Sequence, residues 1–123
     1  MPKILIVEDD ELNRDMLSRR LIRAGYEVVC AEDGPQGVRL AKETKPDLIL
    51  MDFALGPMDG WEATRLIKSN PLVSNAPIIA LTIHALESER RRCLEAGCSD
   101  FDTKPVDLGR LLGKMQRQLA AAK

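Results

Sequence analysis

Six residues of this chain carry groups suited to metal or phosphoryl chemistry, and each stands where an apolar run stops. Glu8, Asp9 and Asp10 follow ILIV, Asp52 follows LILM, Thr82 follows IIAL, and Lys104 with Pro105 follows a weaker run around Phe101. Carboxylates brought together across neighbouring strands repel one another, so such a cluster persists only with a hard cation between them or with raised pKa values. Magnesium suits the set, because it takes oxygen ligands and keeps waters and a phosphate. Asp9 and Asp52 are then direct ligands, with Glu8 direct or through water. With repulsion masked, the Asp52 carboxylate can attack a phosphoryl group to form an acyl phosphate. Lys104 and the Thr82 hydroxyl would hold the phosphoryl oxygens. Each residue also has a plainer use: Glu8 to Asp10 as the acidic start of a helix, Asp52 as a turn residue, Thr82 as a cap and Lys104 as a surface turn.

The elements that must position these groups are legible as alternation. Apolar runs at 4–7, 28–31, 48–51 and 78–81, and the weaker one near Phe101, are each followed by helical spacing. Leu12, Met16, Leu17 and Leu21 follow the first, and Pro35 marks a helix start after the second. Leu108, Leu111, Leu112, Met115 and Leu119 form a core-facing stripe after the fifth. Short connections containing Gly, Pro or Asn separate the runs. The pattern predicts about five right-handed β-α units around a parallel sheet, a doubly wound α/β fold. In such sheets ligands bind outside the carboxyl ends of the strands, where the six residues fall.

Composition narrows the function. The 123 residues fit one domain, 1–123, and 45% hydrophobic against 30% charged residues is an ordinary globular balance. Eighteen basic against nineteen acidic residues leave a formal charge of -1, so no direct nucleic-acid partner is expected. No apolar stretch is long enough for a bilayer and the N-terminus meets acids too early for a signal peptide, which predicts a cytoplasmic protein with no membrane partner. Cys30, Cys93 and Cys98 form no CxxC pair and read as idle thiols in a reducing compartment.

The ordered set ILIVEDDELN, PDLILMD followed by MDG, ALT, AGCSDF and TKP resembles the receiver domain of bacterial two-component response regulators over essentially the whole chain. The resemblance implies a flavodoxin-like, CheY-like (βα)5 sheet with strand order 2-1-3-4-5. It implies Asp52 as phosphoacceptor, Glu8 and Asp9 as an acidic Mg2+ pocket completed by Asp52 and the Ala54 carbonyl, Thr82 as switch hydroxyl and Lys104 as the phosphate-contacting cation. It further implies a cis bond at Lys104-Pro105, and a switch in which an aromatic at Phe101 moves inward to reshape the surface of the fourth helix, fifth strand and fifth helix. The partners implied are a sensor histidine kinase or histidine phosphotransfer protein and a downstream protein target. A freestanding receiver of this kind, monomeric or dimerising on phosphorylation, turns over no separate substrate and is not counted an enzyme.

The chain departs from the family at several points. Phe101 stands where Tyr is frequent, Gly56 takes the place of a usual Pro with Pro57 after it, Ala54 offers no polar side chain to water, and bulky Ile83 follows Thr82 where a small residue is usual. These departures imply slow phosphoryl exchange with selective partners. They also keep open a pseudo-receiver that binds partners without phosphorylation. A flavin or nucleotide binder is disfavoured by EDDE after the first strand, and a haloacid-dehalogenase-like phosphatase by Ala54 where a second acid is needed. His84 is taken as a site-rim or partner contact rather than a phosphorelay histidine. The run Glu89 to Arg92 reads as a solvated helix face, with contact to an acidic partner as the other use. Trp61 is left undecided between core and rim.

Overall fold

The computed structural model describes residues 1–54, 58–83 and 87–122. Five strands, β1 (Lys3–Val7), β2 (Glu27–Ala31), β3 (Leu48–Asp52), β4 (Ile78–Thr82) and β5 (Asp100–Thr103), alternate with five helices. These are α1 (Glu11–Arg23), α2 (Gly34–Thr44), α3 (Gly60–Lys68), α4 (Glu87–Ala96) and α5 (Leu108–Ala121). All strand pairs are parallel and the order is β2-β1-β3-β4-β5, so the order reverses between β1 and β3. The expected doubly wound (βα)5 sheet with order 2-1-3-4-5 is the one found.

Side chains alternate across a strand, and this alternation divides the core into two. Leu5, Val7, Ile49, Met51, Ile78 and Ala80 face one layer with Ala41 of α2, Ala63 and Ile67 of α3 and Cys93 of α4. Ile4, Ile6, Leu48, Leu50, Ile79 and Leu81 face the other with Leu17 and Leu21 of α1 and Leu111 and Met115 of α5. Every residue of β3 and β4 is buried, as strands covered on both faces must be.

The α5 stripe packs as expected: Leu111 and Met115 are fully buried, with Leu108, Leu112 and Leu119 against the same cluster. The apolar residues of α1 divide. Leu17 and Leu21 are buried, but Leu12 is 75% and Met16 49% exposed. At 100° per residue Leu12 and Met16 lie about 140° around the helix from Leu17 and Leu21, so one sheet cannot cover both pairs.

Helix starts account for much of the aspartate. Asp10, Asp33, Asp59 and Asp107 each accept a hydrogen bond from a backbone N–H three residues on, at 2.8–3.1 Å, and cap α1, α2, α3 and α5. Pro35 lies in the first turn of α2 as expected. Cys93 and Cys98 are buried, their thiols pushed up to about 11 and about 12 chiefly by that burial, and Cys30 is half-buried and free.

The return from β3 into α3 is tight. A Cβ on Gly60 would lie 2.5 Å from Phe53 Cδ1 and 2.6 Å from the Asp52 carbonyl oxygen. Gly60→Ala must therefore displace the backbone beside Asp52. The expected cost is about 2 kcal/mol, read as a fall in Tm of roughly 8 °C in thermal unfolding.

Candidate functional site

Parallel strands point their carboxyl ends the same way, so β1, β3, β4 and β5 deliver Glu8, Asp9, Asp52, Thr82 and Lys104 to one edge of the sheet. Glu8 is 4% and Asp52 3% exposed. Asp9 is exposed. One carboxylate oxygen from each of Glu8, Asp9 and Asp52 lies within 4.8 Å of the others. Asp10, the fourth acid of the expected edge, turns away to cap α1. Asp10 thus takes the helix-start use foreseen for the acidic run, while Glu8 and Asp9 stand in a cluster that could hold a cation.

Lys104 holds the two buried acids together. Its Nζ donates to Glu8 Oε1 at 2.8 Å and lies 3.2 Å from Asp52 Oδ2. The Lys104-Pro105 bond is cis, as the resemblance implied, and the Lys104 N–H donates to the Thr82 carbonyl at 2.8 Å. The Ala54 N–H donates to Asp52 Oδ1 at 3.0 Å, fixing that carboxylate from its other side. Thr82 is buried at the end of β4, opposite Thr103. Ile83, 63% exposed, lines a groove of about 500 Å³ with Met16, Leu17, Val106, Pro105, Glu8 and Lys104. The loop containing Gly56 and Pro57, and His84, lie outside the described residues.

Burial pushes Glu8 up to about 7, and its contact with Asp52 adds to that rise while Lys104 opposes it. Burial works against the charge on Lys104, but its bond to Glu8 and the nearby Asp52 outweigh this and leave its pKa raised. At neutral pH the edge is therefore two crowded acids with one ammonium between them. Among the described residues the group consists of carboxylate oxygens alone, which fits a hard divalent cation.

Arg14, a neighbour of the site, had no sequence signal. Arg14 Nη1 donates to the Glu8 carbonyl at 2.9 Å, and its guanidinium lies 3.7 Å from Glu32. An arginine one turn into a helix after acidic residues is too common to single out. Trp61, undecided in the sequence, packs its ring 4.9 Å from that of Phe53, and Arg92 lies 3.6 Å above it. Phe101 packs against the first core layer between Arg90 and Lys114.

The Glu8 shift sets a pH dependence. A carboxyl whose folded value lies above its ordinary 4.5 gives the metal-free fold its best relative stability at low pH, and that contribution is lost as pH rises toward about 7. A cation must displace the same proton. Magnesium affinity measured by titration calorimetry is expected to rise about tenfold per pH unit below 7 and to level off above it. Glu8→Gln is expected to abolish the slope.

Comparison with known proteins is consistent along the length of the chain. The family model described as the response regulator receiver domain matches residues 4–116. The polar-differentiation response regulator DivK of Brucella anthropi is 34% identical over 123 residues, which cover 99% of this chain and all of that protein. Among solved structures, the receiver domain of sensor histidine kinase PA1611 from Pseudomonas aeruginosa, with magnesium coordinated in its active-site cleft, is 39% identical with a TM-score of 0.90, covering 97% of this chain and 98% of that one. The chemotaxis protein CheY4 of Vibrio cholerae is 30% identical with a TM-score of 0.91, covering 95% and 98%.

Proposed function

This chain belongs to the response regulator receiver domain family of two-component signalling, and we propose that within it Asp52 accepts a phosphoryl group from a histidine kinase or histidine phosphotransfer protein. The observation that carries the proposal is the Lys104 ammonium held at 2.8 Å from Glu8 and 3.2 Å from Asp52, with Asp9 beside them. An acceptor carboxylate, an acidic cation pocket and a cation for phosphoryl oxygens are the parts such a transfer needs. Magnesium, when bound, masks the acid repulsion and neutralises charge on the phosphoryl group. Glu8, Asp9, Asp52 and the Ala54 carbonyl would hold it.

Asp52 Oδ attacks phosphorus as the P–N bond of the donor phosphohistidine breaks, and the bonding electron pair leaves on the imidazole nitrogen. Lys104 exchanges its contact with Asp52 for a phosphoryl oxygen. The Thr82 hydroxyl donates to another, and Phe101 fills the space behind it. Attack of water on phosphorus later restores Asp52 and releases phosphate. No separate substrate turns over, so the chain acts as a switch rather than an enzyme, and its output is altered binding on the α4, β5 and α5 face. With no helix among the described residues long and apolar enough to cross a membrane, a cytoplasmic setting beside a soluble kinase domain suits this use.

Incubation with acetyl phosphate and magnesium is expected to add one phosphoryl group by intact mass, and neither Asp52→Asn nor the magnesium-free sample should gain it. No gain in folded native protein would sink the phosphoacceptor reading and favour partner binding without phosphorylation. Ile83 at the groove rim narrows donor access in this proposal. Ile83→Ala, which removes three side-chain carbons from the groove rim, is expected to raise the acetyl phosphate labelling rate, and an unchanged rate would remove the steric role.

A further inference from the structure

Among the described residues, Asp102 is the one buried acid that the proposed transfer does not use; it is 4% exposed. On β5 it stands in register with Leu81, on the face that β4 fills with Ile79 and Leu81 against Leu111 and Met115. An apolar side chain would suit that layer, and replacing a buried ion pair by apolar residues commonly leaves a fold as stable or more so. Asp102 Oδ2 also has no hydrogen-bond partner among the described residues, which adds to the cost of enclosing the acid. The reason for an acid here must lie in what its other oxygen holds.

That oxygen fastens both ends of one turn. Asp102 Oδ1 accepts the Thr103 N–H at 2.8 Å and Arg110 Nε at 2.8 Å. Arg110 Nη2 donates to Thr103 Oγ1 at 3.2 Å, and the Arg110 N–H donates to the capping Asp107 Oδ1 at 3.0 Å. From the first turn of α5, Arg110 thus grips the last two residues of β5. Residues 104–107 run between the gripped points, and the first of them is Lys104. A lysine side chain is flexible, so where its ammonium rests depends on how firmly its backbone is fixed. The ammonium of Lys104 must reach 2.8 Å from Glu8 and 3.2 Å from Asp52, acids carried by β1 and β3.

We propose that Asp102 and Arg110 are positioning residues for Lys104: their ion pair fixes the turn between β5 and α5 so that the ammonium meets Glu8 and Asp52, and a phosphoryl oxygen during transfer. The phosphoryl contact rests on the reading of Asp52 as acceptor, whereas the placing of the ammonium does not. Arginine suits the task because its planar fork bridges a carboxylate and a hydroxyl at once, which a lysine ammonium in its place would not reproduce.

The test separates placement from stability. Asp102→Leu combined with Arg110→Leu removes both charges and adds apolar side chains to the layer of Leu81 and Leu111, so its Tm is expected to equal or exceed that of the native chain. Labelling by acetyl phosphate with magnesium, followed by intact mass, is nonetheless expected to slow at least about tenfold, as for a misplaced reacting group. The Lys104 ammonium gives a second readout that needs no phosphorylation. Held by two carboxylates, it should exchange protons slowly enough to show a nitrogen–proton NMR cross-peak in isotope-labelled protein, identified by its loss in Lys104→Met. The peak is expected in the native chain, absent in the double variant and weakened in Arg110→Lys, which carries the comparison should the double variant not fold. Native labelling with the peak intact in the folded variants would reduce the pair to a structural role and overturn the proposal, as would a missing peak in folded native protein. A peak lost in the double variant, in a native chain that takes up no phosphoryl group, would support the placing of Lys104 and overturn Asp52 as acceptor instead.

Discussion

Two carboxylates buried within reach of one ammonium are the constraint on which the rest of this structure depends. Glu8 and Asp52 are each almost fully enclosed, and enclosing charge is costly unless it is paired. Lys104 supplies the pairing from a strand that is not adjacent to either acid, since β1 and β3 neighbour each other while β5 lies beyond β4. The site exists only when the four strands β1, β3, β4 and β5 are assembled in register. Folding and site formation are therefore one event, and the apolar packing that orders the strands also sets the carboxylate spacing.

That packing holds the Asp52 carboxylate rigidly at the edge of the sheet. β3 is buried along its entire length, and its last residue is fixed by the Ala54 N–H on one side and Lys104 on the other. The turn back to α3 passes so close to Asp52 that only glycine fits at position 60. Pre-organised donors around a reacting oxygen lose little order when charge develops. The same arrangement leaves Glu8 half-titrated near neutrality, because burial and Asp52 raise its pKa faster than Lys104 can lower it. A cation entering such a site relieves two strains at once, the repulsion between acids and the retained proton.

Most of this architecture was legible in the residues. The inner strands β1, β3 and β4 appeared as uninterrupted apolar runs because both faces of a covered parallel sheet are buried, and their chemistry was visible because polar residues ended those runs, whereas β5 (DFDT) gave only a weak run around Phe101. The α5 stripe was readable for the converse reason, a single period of 3.6 with no competing face. In α1 two apolar pairs lie on different sides, and spacing alone does not say which pair the sheet will cover. Leu17 and Leu21 lie against it, and Met16 instead borders the groove beside Glu8 and Lys104. The uses of Trp61 and Arg92 were hidden because they arise between α3 and α4, and a stack across two helices leaves no spacing signal in either one.

α4 is held by smaller buried side chains than α5 is. Its buried residues are the small Cys93 and Ala96, while its only leucine among the described residues, Leu94, is exposed. By contrast α5 buries Leu111 and Met115 completely and packs three further leucines. Apolar burial at about 25 cal/mol per Å² therefore holds α5 far more firmly than α4. The remaining attachment of α4 includes the stacking of Arg92 on Trp61 and of Arg90 over Phe101, contacts that are individually weak at a solvent-exposed edge. Both rings are close in sequence or register to site residues: Trp61 packs on Phe53, which follows Asp52, and Phe101 pairs with Ala80, two residues before Thr82. A displacement of either ring alters what α4 rests on, while the firmly packed α5 keeps its cations in place. Of the two helices beside β5, α4 buries the smaller side chains and rests on rings that lie near the site in sequence or register, which is a physical condition for a local charge change to be read at a distance.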